Sequence, residues 1–178
     1  NPVGVAIGNE AAFIARTADV FQKHMSAVLK RAAQHHGATM VEIAQNCIIF
    51  NDGAWAHMTD PANRQDNVLY LEHGQPMRFG KQGEKGIRLN GLTPEVVDVD
   101  EVGVDALLVH DEKAEEPTLA YLLSRMGPPD FPIPVGVFRA IDKPVYSARL
   151  MDQVHAAQDK KQADLDALYR QGECWEVS

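Results

Sequence analysis

Cysteine is scarce in this chain: Cys47 and Cys174 are the only two, and they lie far apart. Two distant thiols make no disulfide framework and suit a reducing, cytoplasmic compartment. Long apolar runs are missing as well. No stretch approaches the ~20 residues needed to cross a bilayer, and no charged-apolar-small leader opens the chain. Basic residues are outnumbered, 17 Lys and Arg against 25 Asp and Glu, giving a formal net charge of -8. Without a basic cluster carrying interleaved aromatics, this balance argues against nucleic acid or an anionic membrane as partner. The seven His residues offer no metal spacing, neither an i, i+4 pair nor an HExxH. Adjacent His35 and His36 cannot converge on one ion from a helix and suit its C-terminus instead.

Two further stretches lack what their composition first suggests. Gly80-Lys-Gln-Gly-Glu-Lys-Gly86 has no Gly-Lys-Ser/Thr, and it lies between two short strands, so it reads as a hairpin loop. The acidic run Asp111 to Glu116 lacks the Asp/Asn-Gly spacing of a divalent-ion loop and fits the electrostatics of a helix start. What remains is ordinary for a globular protein: 45% hydrophobic and 24% charged over 178 residues, enough for one fair-sized domain or one and a half small ones.

The chain is organised around Ala38 to Asp52. Thr39 to Ile43 is short, β-branched and mostly apolar, the pattern of a strand buried on both faces of a parallel sheet. Cys47 follows where that strand ends, and strand ends of this kind are where ligands sit in open α/β sheets. Its thiol is either a small buried hydrophobe or a soft metal ligand. Nothing near it matches a hydrolase signature. Cys174, in Gly-Glu-Cys-Trp-Glu-Val, reads as incidental.

Ahead of this stretch, Asn1 caps and Pro2 starts a short helix running to about Glu10. Ala12 to Arg16 reads as a strand. Asp19 to His36 is the clearest helix, with Val20, Phe21, Met25, Val28, Leu29 and Ala32 on one stripe. Thr17 or Asp19 can cap it and Gly37 can end it. Two parallel strands alone make no stable sheet. The first third is therefore expected to be the back half of a larger domain, its front half missing or on another chain. After Asp52 the pattern changes to Gly-punctuated strands at Val68 to Glu72, Pro76 to Phe79, Gly86 to Leu89 and Val96 to Val99, read as hairpins. A strand at Leu107 to His110, a helix opened by Pro117, a strand at Val135 to Ile141 and an amphipathic helix from Tyr146 to about Gln171 complete the expectation.

Three runs carry a family resemblance: Asn1-Pro-Val-Gly-Val-Ala-Ile-Gly, Ala12-Phe-Ile-Ala-Arg-Thr and Val41-Glu-Ile-Ala-Gln-Asn-Cys-Ile-Ile-Phe-Asn-Asp. They resemble the beta subunit of 2-oxoacid:ferredoxin oxidoreductases. The tail, with Leu71-Glu-His-Gly-Gln-Pro-Met-Arg-Phe-Gly and Pro134-Val-Gly-Val-Phe-Arg, is similar to the 2-oxoglutarate type. The resemblance implies an α/β fold: residues 1–52 as the C-terminal half of a thiamine-diphosphate-binding domain, a parallel sheet with helices on both faces, and residues 53–178 as an α+β extension.

The resemblance also implies an enzyme that decarboxylates a 2-oxoacid oxidatively, forms an acyl-CoA from coenzyme A and passes electrons to ferredoxin. Its cofactors are thiamine diphosphate, Mg2+ and a 4Fe–4S cluster, and its partner is an alpha subunit. Cys47 matches the fourth cluster cysteine. The other three, and the Gly-Asp-Gly segment that holds the pyrophosphate and magnesium, belong to the family's N-terminal half. No position here matches a thiamine or magnesium ligand and no catalytic residue is carried over, so this chain alone is expected to be inactive. A non-catalytic dimerisation or interaction module on the same fold is the alternative.

Overall fold

The computed structural model describes residues 1–160, 164–172, 175 and 177. They fall into two compact units, Asn1–Lys143 and Pro144–Ser178. In chain order the first unit holds α1 (Pro2–Gly8), β1 (Phe13–Ala18), α2 (Gln22–Gln34) and β2 (Thr39–Ala44). Two single turns, α3 (Ala56–Thr59) and α4 (Arg64–Asn67), lead into β3 (Val68–Leu71), β4 (Arg78–Phe79), β5 (Lys85–Asn90) and β6 (Thr93–Asp98). The turn α5 (Val99–Val102), a 3-10 turn at Val104–Ala106, α6 (Thr118–Ser124) and β7 (Ile133–Ala140) complete it. The second unit holds α7 (Tyr146–Lys160) and α8 (Leu165–Tyr169).

The start follows its sequence closely. Asn1 Oδ1 accepts from the Gly4 amide at 3.1 Å, with Pro2 in the first turn. β1 and β2 pair in parallel, Phe13 opposite Thr39 through Ala18 opposite Ala44, as a helical crossover between two strands requires. The fold is mixed α/β, and two of the three pairings in its four-stranded sheet are parallel. α2 covers one face, where Val28 meets Phe13, Ala15 and Val137. α1 and α6 cover the other, where Val3, Ile7 and Leu123 meet Ile14, Leu69 and Phe138. β4, β5 and β6 form the antiparallel hairpin sheet that the Gly-rich turns predict, with Gly80–Glu84 as the β4–β5 loop.

Several expectations fail for tertiary reasons. The sheet order is β2-β1-β7-β3, so the late strand β7 lies antiparallel against β1, and β3 joins it in parallel rather than forming a hairpin. Part of the cover expected from a separate half-domain thus comes from this same chain. β2 is not buried on both faces. It is the sheet edge, Ile43 is 41% exposed, and only Ala44 is fully buried. Leu107 to His110 forms no strand: Leu108 bonds Met77 and Ile87, His110 bonds Gly74 and Gln75, and the one bridge pairs Val109 with Pro76, which has no N–H to donate to a ladder. α2 begins at Gln22 with no side-chain cap. Thr17 instead bonds His24, and Asp19 accepts from the Val20 amide. The helix expected from Tyr146 to Gln171 is two: Asp164, in extended conformation, caps a fresh start at α8.

Buried charge ties distant segments together. Arg16 and Glu42, opposite each other in register, pair at 2.6 Å across β1 and β2. Glu112, in the acidic run that the sequence suits to a helix start, is buried and pairs with Arg31 of α2 at 2.6 Å. Glu10 adopts φ 60°, unusual for a residue with a side chain. There its carboxylate meets both Lys143 and the buried Arg139, and those two cations, Lys143 first, hold its pKa below the ordinary carboxylate value.

His110 is almost wholly buried, and its Nε2 lies 2.7 Å from the Val137 carbonyl. A carbonyl only accepts, so Nε2 carries the proton and Nδ1 is a lone pair, left without a partner. Burial pushes the pKa of His110 below its ordinary 6.5, outweighing the Val137 bond and the nearby Glu112. Between the folded and unfolded values the unfolded chain binds more protons, so stability falls as pH drops below about 6.5. Thermal midpoints measured from pH 7.5 to 5.5 should therefore decline, and His110→Gln, which cannot ionise, should flatten the decline. An equally steep profile in the variant would contradict this origin.

Gly136 links β7 to β3 and has φ 122°. A Cβ there would lie 2.9 Å from the Leu71 carbonyl oxygen, a backbone atom that cannot step aside. Gly136→Ala is expected to cost about 1–3 kcal/mol from backbone strain and the clash. The shift in urea midpoint measures it.

Candidate functional site

The carboxyl ends of β1 and β2 lie at one end of the sheet, and the amino end of β3 joins them there because β7 reverses direction between β1 and β3. In open α/β sheets this end gathers ligands. The chain leaves β2 at Ala44 and makes a compact excursion, Cys47 to Asn51, closed by the Asn51 amide donating to the Cys47 carbonyl at 3.0 Å. One side chain staples its neck. Asn46 donates from Nδ2 to Asp52 Oδ1 at 2.9 Å and accepts from the Gly53 amide at 2.9 Å. Gly53, at φ 74°, makes the exit turn that brings its amide back to Asn46.

The tip carries three consecutive large apolar residues in the open: Ile48, Ile49 and Phe50, exposed 77%, 84% and 90%. A hydrogen-bonded neck thus holds an apolar tip out of the fold, and burial within the described residues plays no part in shaping it. The sequence motif marked this stretch, but nothing in its periodicity signalled that the tip would be uncovered.

Cys47 sits at the neck with its thiol exposed. That is a different placement from the packed core thiol that residue type alone allowed. The side chain is accessible to an external group, and a thiolate is a good ligand for iron. Among the described residues no group of three or more His, Cys, Asp or Glu converges as a metal site. A cluster there would need further thiolates besides Cys47. Cys174 lies outside the described residues. No helix in them is long and apolar enough to cross a membrane.

The other residues weighed from sequence play structural parts. His35 stacks on Phe13 at 5.4 Å and does not join His36 in a site. Glu84 accepts from the Gln82 amide inside the β4–β5 loop, and Arg78 donates to the Gly83 carbonyl, so that loop bonds internally.

No protein-family model matches the chain. It is 37% identical over 169 residues to the 2-oxoglutarate oxidoreductase subunit KorB of Mycobacterium tuberculosis, a match that takes in 94% of this chain and 45% of that protein. A stretch of 52 residues is 33% identical to subunit beta of 2-oxoacid:ferredoxin oxidoreductase 1 from Aeropyrum pernix, 16% of that protein. Another match of 52 residues is 35% identical to the 2-oxoacid:ferredoxin oxidoreductase subunit beta of Saccharolobus solfataricus, 17% of its length. The chain spans less than half the length of each of these curated relatives. By sequence it matches the C-terminal part of the beta subunits of 2-oxoacid:ferredoxin oxidoreductases, the family its motifs resemble.

Proposed function

We propose that this chain is part of the beta subunit of a 2-oxoglutarate:ferredoxin oxidoreductase. That enzyme decarboxylates its 2-oxoacid oxidatively, forms an acyl-CoA and passes the electrons through a 4Fe–4S cluster to ferredoxin. The observation that carries the reading is the 37% identity, over nearly the whole chain, to a subunit named for 2-oxoglutarate. In this reading residues 1–52 complete a thiamine-diphosphate-binding domain and residues 53–178 extend it. An alpha subunit and the N-terminal half of the beta subunit supply the rest of the catalytic unit, in the cytoplasm.

Cys47 is the residue that acts in this chain. Its exposed thiol at the ligand end of the sheet donates one of the four thiolates of the cluster. The adjacent Ile48 to Phe50 would exclude water there, and an apolar shell controls solvent access to a metal group and its potential. A bound cluster supplies one-electron acceptance. Thiamine diphosphate and Mg2+ have no candidate ligands in this chain, and no step through them is derived.

In the complete enzyme, Cys47→Ser should lower the iron content per protomer and stop ferredoxin reduction, while decarboxylation partly survives. Serine's hard, high-pKa hydroxyl is a poor substitute for a thiolate on iron. Iron analysis with the ferredoxin-linked rate checks this; a full iron complement with unchanged electron transfer would remove Cys47 from the site. The isolated chain should show no heat of binding when titrated with thiamine diphosphate and magnesium, since one thiolate and no pyrophosphate ligands leave nothing to hold them. Tight stoichiometric binding would place a cofactor site inside residues 1–178 and contradict the division proposed here.

A further inference from the structure

Two cavities adjoin at the other end of the sheet from Cys47, where β7 finishes beside the start of β1 and Ala140 pairs with Phe13. The larger, about 630 Å3, carries charges of both signs on its wall, Lys113 and Arg139 with Glu10, Glu115, Glu116 and Asp142 among them. The smaller, about 360 Å3, takes apolar surface from Ile7, Pro117 and Tyr121. Glu10 and Glu116 belong to both walls. The two cavities therefore form one depression with a charged half and a largely apolar half. Each volume falls within the range of small-molecule sites.

The charges of the larger half are not all used by the fold. Glu10 is taken up by Arg139 and by Lys143, a third cation of the same wall. Lys113, Glu115, Glu116 and Asp142 enter none of the ion pairs among the described residues. Arg139 is 98% buried at its side chain, its exposure being 2%. Its Nη1 donates to Glu10 and to the Ala11 carbonyl, and its Nη2 to the Glu115 carbonyl, so the guanidinium stands among wall residues. Its Nε, also buried, has no acceptor. A buried N–H left unpaired is costly, and an acceptor brought into the cavity would relieve that cost.

We propose that this depression binds a free α-amino acid with an apolar side chain. The α-carbon sits at the shared wall, where Glu116 takes the ammonium. Lys113 and the Nε–H of Arg139 take the carboxylate, and the side chain lies against Ile7, Pro117 and Tyr121. Charge-assisted bonds of this kind are the strong ones, and covering an apolar side chain adds to them in proportion to its area. A simple anion would leave Glu115, Glu116 and Asp142 facing it with the same sign. A simple cation would leave Lys113 and the Arg139 Nε–H without an acceptor. A zwitterion answers both, and only one with an apolar group uses the smaller half. None of these residues is assigned to the cluster, so the site stands or falls apart from Cys47.

The test is calorimetric titration of the full chain with L-leucine, and with glycine, N-acetyl-L-leucine and L-leucinamide as probes that each lack one of the three groups. L-Leucine should bind, and each of the other three should bind more weakly by about tenfold or more, the loss of one good contact. Glu116→Gln and Lys113→Ala should each weaken L-leucine by about the same factor, and Tyr121→Ala should narrow its advantage over glycine. These three side chains are exposed, so the variants keep the core intact, and a thermal melt confirms it. No binding of L-leucine at millimolar concentration, or binding that either Glu116→Gln or Lys113→Ala leaves unchanged, overturns the site. N-acetyl-L-leucine or L-leucinamide bound as tightly as L-leucine overturns the zwitterion, and glycine bound as tightly overturns the apolar half.

Discussion

The antiparallel pairing of β7 with β1 is the constraint on which the first unit depends. β1 has no exposed position along its six residues. It is held by parallel bonds to β2 on one side and antiparallel bonds to β7 on the other, with a register shift between Ile14 and Ala15. The alternating faces of the two central strands then divide the core: Phe13, Ala15 and Val137 turn to α2, while Ile14 and Phe138 turn to α1 and α6. Closing so long a loop costs only slightly more than closing a short one, because the entropic penalty grows with the logarithm of length. The hairpin sheet can therefore occupy the intervening chain, and it contributes Met77, Phe79 and Ile87 to the same core.

Charge reinforces this arrangement at three places. Arg16–Glu42 spans the parallel strands, Arg31–Glu112 ties α2 to the segment after the hairpins, and Glu10 clamps Arg139 and Lys143 near the end of β7. Burying such groups costs desolvation, which their mutual attraction offsets when the geometry is close. Their value lies in specificity: a slipped register would leave Arg16 or Arg139 buried without its carboxylate. The left-handed backbone at Glu10 is maintained for the same reason, since relaxing it would carry the carboxylate away from two cations.

One end of the sheet collects features that core packing does not explain. The stapled excursion at Cys47 holds a thiol and an apolar tip in the open, and a cavity beside α2 sets Lys23 and Arg64 beside an aromatic wall. β2, at the edge, leaves one side without a strand neighbour in this chain and keeps its side chains half covered. Both features occur together because β7 reverses direction, which places the start of β3, and with it Arg64 and Tyr70, beside the ends of β1 and β2.

Local physics made much of this legible in advance. The Asn1 cap, the amphipathic α2, the parallel β1–β2 pair and the antiparallel hairpins each depend on residues within a few positions, or on a connection whose length dictates direction. The position of Cys47 just past a strand was legible on the same grounds. Tertiary structure alone decided that β7 runs against β1, that β3 joins β7 and that β2 is an edge. It also decided that Leu107 to His110 makes a single bridge instead of a strand, that Glu112 is buried, and that Ile48 to Phe50 is bare. A hydrophobic period tells which face of a segment wants cover, and it carries no information about which distant segment arrives to provide it.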